Sequence, residues 1–75
     1  MAYYGKRDWL VRIRKNKGLS QDMTAALSDI SQTHYSKIEN GFTDPSPEVV
    51  ERVCKVIGIT PEEFYSKDDI RINGD

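Results

Sequence analysis

Two residue types that build most metal centres and covalent frameworks are almost missing from this chain. Cys54 is the only cysteine and His34 the only histidine. One cysteine excludes a disulfide framework within the chain, and the pair together argue against a zinc centre. No apolar run approaches the roughly 18 residues that a membrane span needs, and no leader pattern opens the chain. Neither a membrane partner nor a metal is expected, and the cysteine usage fits a reducing cytoplasm. Strand-like alternation is absent, as are internal repeats, linkers and low-complexity stretches. There is no carboxylate pair, no nucleophile with an attendant base and no phosphate loop, so no enzymatic activity, cofactor or small-molecule ligand is expected.

The 75 residues allow one domain with one small core. Such a chain, without disulfide or metal, depends on compact helix packing or on a partner subunit. Its net charge of −1 shows no excess of either sign. The distribution is uneven. Residues 1–41 hold seven of the eleven Lys and Arg against four acids, and residues 42–75 hold four against eight. A positive half and a negative half can orient a protein in an external field even when the total is near zero.

Helix start and stop signals punctuate the chain. Residues 1–5 form a lead-in. A first helix is expected from about residue 7 to 17, with Leu10 and Ile13 on one face and Gly18 closing it. Ser20 caps a second helix over 21–27, whose apolar face is expected to be Met23, Ala26 and Leu27, with Ala25 at a close helix contact. After the turn Ser28-Asp29-Ile30, Ser31 caps a third helix over 32–39, and Asn40-Gly41 ends it. Ser46-Pro47-Glu48 combines a cap, a proline at the first helical position and an acid in the first turn. The fourth helix then runs over 47–57 and is the most apolar, through Val49, Val50, Val53, Cys54, Val56 and Ile57. Thr60 and Glu63 suit a capping box for a short fifth helix over 61–65. Residues 67–75 read as a flexible polar tail. Five helices with short connections make an all-α domain.

The third helix carries the functional signal. Thr33, Ser36 and Lys37 follow i, i+3, i+4 spacing, with Gln32 at the edge of the same face. Tyr35 and Ile38 fall on the other side and are expected to pack inward, the Tyr35 hydroxyl reaching a polar neighbour. A helix fits the major groove of B-DNA, where Gln meets adenine and a Thr methyl meets thymine. Lys37 is the one candidate for guanine, because the helix has no arginine. Gln21, opening the second helix, and Asn40, just past the third, suit phosphate contacts. His34 is either a further backbone contact or a solvated helix residue. Cys54 reads as a small core hydrophobe.

These residues carry a resemblance. Lys17-Gly18-Leu19-Ser20-Gln21, Ile30-Ser31-Gln32 and Ser36-Lys37-Ile38-Glu39-Asn40-Gly41, with Arg12-Ile13-Arg14-Lys15 before and Pro45-Ser46 after, are similar to the helix-turn-helix domain of Cro proteins and phage repressors, the XRE family. The resemblance covers about residues 7–65. It implies a compact five-helix, lambda-repressor-like fold over residues 1–66, with the second and third helices as the helix-turn-helix. It implies base reading by Gln32, Thr33, Ser36 and Lys37, phosphate anchoring by Gln21 and Asn40, and a structural pair between Arg14 and Glu39. This chain departs from the family where Thr24, Ser28 and Asp29 stand. The first two positions are usually apolar and the third usually glycine, which puts the stability and rotation of the second helix in question.

The resulting expectation is a sequence-specific DNA-binding transcriptional regulator, a repressor more readily than an activator, acting as a homodimer on a palindromic operator. A controller protein of a restriction–modification system and an antitoxin both fit a chain this short. The alternative from another class is a protein-interaction module on the same fold, with a regulatory protein as partner. Trp9 with Tyr3 and Tyr4 forms an aromatic cluster outside the family pattern. It is either covered by the lead-in or part of an interface. Phe64, Tyr65 and the face of the fourth helix are the second interface candidate.

Overall fold

A computed structural model describes residues 5–73, and the reading of Tyr3 and Tyr4 therefore lies outside the described residues. The helices are α1 (Asp8–Asn16), α2 (Gln21–Leu27), α3 (Gln32–Glu39), α4 (Pro47–Ile57) and α5 (Pro61–Asn73), and no strand occurs among the described residues. The cap chemistry is as written in the sequence. The hydroxyls of Ser20, Ser31 and Ser46 accept from the backbone N–H groups of Met23, His34 and Val49. Thr60 and Glu63 complete a reciprocal capping box, at 2.9 and 3.1 Å.

Every helix contributes to one core. Leu10 comes from α1, Ala25 from α2, Tyr35 and Ile38 from α3, and Phe64 from α5. Val50, Val53, Cys54 and Ile57 give α4 a continuous buried stripe at i, i+3, i+4, i+7 spacing. α2 lies against both α3 and α4, α4 against α5, and α1 against α3.

The face of α2 differs from the sequence expectation. Met23 is 50% exposed and Leu27 64% exposed, and Ala26 also faces outward. Thr24, Ala25 and Ser28 point inward instead. The small side chains of Thr24, Ala25 and Ser28 let α2 lie close against α3 and α4, and that packing decides the rotation. Asp29 takes the left-handed conformation at φ 60°, and Ile30 N–H closes back on the Ala25 carbonyl at 3.0 Å. The Thr24 hydroxyl is satisfied by donating to the Ser20 carbonyl at 2.8 Å. The Ser28 hydroxyl is buried without a partner among the described residues.

The fifth helix also differs. It continues through Asn73, where the sequence reading placed its end near residue 65 and a flexible tail from 67. The physical reason lies on the far side of the chain. Arg7, fully buried, donates to both carboxylate oxygens of Asp68 at 2.8 and 3.0 Å, and so holds the second turn of α5 to the start of α1. Phe64 lies in the core, which removes it as an interface candidate, whereas Tyr65 is half-exposed. Trp9 is covered by Phe64, the rings meeting edge to face at 5.0 Å.

Candidate nucleic-acid interface

Successive residues of an α-helix turn by about 100°. Gln32, Thr33, Ser36, Lys37 and Asn40 therefore share one side of α3 and its exit. Gln32, Thr33 and Lys37 are exposed, while Ser36 and Asn40 are half-buried. Asn40 Nδ2 donates to Ser36 Oγ at 3.3 Å, so these two hold each other along the same flank. The Thr33 and Lys37 side chains make no hydrogen bond or ion pair with the described residues and stand ready for an external partner. Tyr35 and Ile38 are fully buried on the opposite side, as their spacing required. His34 falls on that opposite side next to Ile38 and is half-buried. The helical angle separates it from the exposed set.

A polar relay fixes the exposed face from beneath. Arg14 grips Glu39 through Nε at 2.5 Å and Nη2 at 3.3 Å, and its Nη1 donates to the Leu19 carbonyl at 2.7 Å. Glu39 Oε1 also accepts from Gln21 Nε2 at 2.8 Å. Gln21 Oε1 in turn accepts from Gln32 Nε2 at 3.1 Å. The chain Arg14–Glu39–Gln21–Gln32 thus runs from the buried pair to the first residue of α3. It leaves the Gln32 side-chain oxygen directed to no described residue.

The electrostatics follow from this arrangement. Burial alone would raise the Glu39 carboxyl, but the hydrogen bonds from Arg14 and then Gln21 outweigh it, and Glu39 lies below the ordinary carboxylate range. The same hydrogen bond raises Arg14. Tyr35 lies against this pair. Burial first, and then the interaction of the hydroxyl with the Glu39 carboxylate and its negative charge, push its phenol well above the usual range. Its hydroxyl faces the Arg14–Glu39 pair, the polar neighbour expected of it, without closing a hydrogen bond of good geometry to either.

Burial of Arg7 and Arg14 in ion pairs revises the charge map. The exposed cations of residues 5–41 are Lys6, Arg12, Lys15, Lys17 and Lys37, set against exposed Asp8, Asp22 and Asp29. A modest positive balance remains in that half, with Lys37 alone on the exposed side of α3.

Arg7 is the residue that sequence reasoning missed. It entered only as one positive charge near a helix start. Its partners stand 31 to 61 positions away, and no local pattern announces them.

Comparisons with known proteins bear on the family to which this fold belongs. A helix-turn-helix family model matches residues 10–64. A control protein, C.MunI from a Mycoplasma species, is 41% identical over 58 residues, which cover 76% of this chain and 78% of that protein. The transcriptional regulator PuuR of Escherichia coli is 35% identical over 65 residues, covering 87% of this chain but only 34% of PuuR. YqaF of Bacillus subtilis, a helix-turn-helix-type transcriptional regulator, is 35% identical over 59 residues, with 79% of this chain and 78% of YqaF covered.

Proposed function

This chain belongs to the helix-turn-helix family of the Cro and phage-repressor type, and from that premise we propose that it is a sequence-specific, double-stranded-DNA-binding repressor acting as a homodimer. The observation that carries the reading is the exposed side of α3, with Gln32 aimed by the Gln21–Glu39–Arg14 relay beneath it. Pre-aligned polar side chains lose less freedom on meeting a base edge, and bidentate readout needs that alignment. Gln32 and Thr33 read A·T pairs, Lys37 reads guanine or an adjacent phosphate, and Ser36 supports them. Gln21 and Asn40 anchor the phosphate backbone on either side. His34 is assigned no DNA contact, because of its place on the inward flank.

Dimerisation follows from size. One module of this kind covers about 600–1,000 Å² on DNA, at the small end of specific interfaces. Two copies on one palindrome raise the effective concentration of the second contact. Their reading helices must then stand about 34 Å apart. Each α3 would lie about 17 Å from the two-fold axis, within the 30 × 23 × 21 Å extents of the domain. Binding over a promoter blocks polymerase, and the likeness to a control protein supports a regulatory role.

Selection of bound duplexes from a random library, at two salt concentrations, tests the proposal. A palindrome whose affinity falls by about 0.9 log unit per neutralised phosphate and decade of salt supports it. Gln32→Ala and Thr33→Ala should each relax base preference, by about 1–3 kcal/mol, without altering the fold. An unchanged preferred sequence in both variants would refute the reading face. The alternative, a protein-interaction module, is favoured by the exposed Met23 and Leu27 on the outer side of α2. Absence of DNA binding at low salt from folded protein would favour it.

A further inference from the structure

Arg7 touches three separated parts of the chain at once. Its backbone N–H donates to the Glu39 carbonyl at 2.8 Å, and its Nη1 donates to the Ile38 carbonyl at 2.6 Å. These carbonyls belong to the last turn of α3, where the next turn of helix that would engage them is missing. Among the described residues the Ile38 carbonyl is otherwise met only by the Gly41 N–H that closes the exit, at 3.2 Å. Nη1 also reaches the Thr43 carbonyl at 3.0 Å, and Nη2 reaches Asp44 at 2.9 Å, both in the segment that follows α3. The remaining side of the guanidinium is held by Asp68 of α5. A planar fork with five donors can serve this set, whereas a lysine cannot.

We propose that Arg7 is a positioning residue for DNA reading: it clamps the exit of α3 to α5, so that the pitch of the reading helix depends on Asp68. The inference rests on the DNA-reading role proposed above. Two arginines then hold the same turn from two directions. Arg14 holds the Glu39 side chain and, through Gln21, the start of α3. Arg7 holds the main chain of its end. A side chain on α3 that is displaced by a fraction of an ångström loses bidentate geometry at a base while a phosphate contact survives. The clamp therefore acts on discrimination and not on non-specific affinity.

The test changes α5 and reads α3. In Asp68→Asn the carboxylate is lost from α5. Amide hydrogen exchange should quicken at Gly41 and Phe42, whose N–H groups close the α3 exit onto the Ile38 and Lys37 carbonyls. Affinity for the selected duplex should fall about tenfold, with affinity for a scrambled duplex unchanged. Should Asp68→Asn fail to fold, Arg7→Met combined with Asp68→Leu removes both buried charges together, and the same two readouts apply. Unchanged exchange at Gly41 and Phe42 in a folded variant overturns the clamp. So does an equal loss on both duplexes. If the parent chain binds no duplex at all, the DNA-reading role itself has failed, and the exchange data still decide whether α5 governs the α3 exit.

Discussion

Glu39 is where burial, charge and alignment meet in one side chain. It is almost wholly buried, it is paired to Arg14, and it carries the Gln21 amide that aligns Gln32. Removing one partner of a buried pair typically costs about 3–5 kcal/mol, because the other charge is left without compensation. Glu39→Ala should therefore lower the denaturation midpoint far more than Glu51→Ala, which sits on the exposed side of α4. Equal midpoints would disprove the pairing. The carboxyl is depressed in the folded state, so its contribution is fully present above the unfolded value of about 4.3 and disappears as pH falls through the folded value. The stability advantage over Glu39→Gln should narrow on acidification below about pH 4, as followed by denaturant titration at a series of pH values.

Ser28 shows the opposite situation. Its hydroxyl is buried and unpartnered among the described residues, on a helix that exposes methionine and leucine on its other side. Ser28→Ala removes an unsatisfied group with almost no change in volume. It should raise stability by about 1 kcal/mol in the same titration, and a loss of stability would mean the hydroxyl has a partner.

At the scale of elements, the end of α5 is the part that depends most on the rest of the fold. Residues 66–73 are mostly polar, with Ile70 and Ile72 the exceptions, which suggests fraying when read locally. The Arg7–Asp68 pair changes the outcome, because it spans 61 positions and is buried at both ends. Ending the chain after Ser66 would leave the Arg7 guanidinium without its main carboxylate. A cost of about 3–5 kcal/mol is expected, a large share of the 5–15 kcal/mol that holds a domain together. A thermal melt of the shortened chain should show a clearly lower midpoint, and an unchanged midpoint would mean that the helix end is dispensable.

At the scale of the whole molecule, one cooperative core implies that its centre opens only when the molecule does. Cys54 reports on this. Burial, and next the charge of Glu63, push its thiol up to about 11, so it is protonated at neutral pH and shielded by the packing of α4. Reaction with an aromatic disulfide reagent at pH 8 should be slow and should track global unfolding, becoming rapid beyond the denaturation midpoint. Rapid labelling under native conditions would show that α4 opens on its own.

Much of this fold is local in origin and was therefore legible in the chain. Ser20, Ser31, Ser46 and the Thr60–Glu63 box act within three residues, so α2, α3 and α4 start and stop where their caps stand. The i, i+3, i+4 sets on α3 and α4 define a buried and an exposed side without reference to anything distant. The Arg14–Glu39 pair, although 25 positions apart, was reached through family resemblance. Three features were decided only by the tertiary structure. The rotation of α2 came from close packing of Thr24, Ala25 and Ser28 against α3 and α4 and overrode its own apolar pattern. The relay from Glu39 through Gln21 to Gln32 required three helix ends to converge. The Arg7 site gathered its partners from α3, the loop after it and α5. Sequence by itself determined where the capped helices begin and which family the chain resembles, because caps and periodicity are short-range; the length of α5 was left to the Arg7–Asp68 pair. Which polar groups are buried together, and hence what holds the exposed side of α3, was decided by long-range packing that no window of the chain contains.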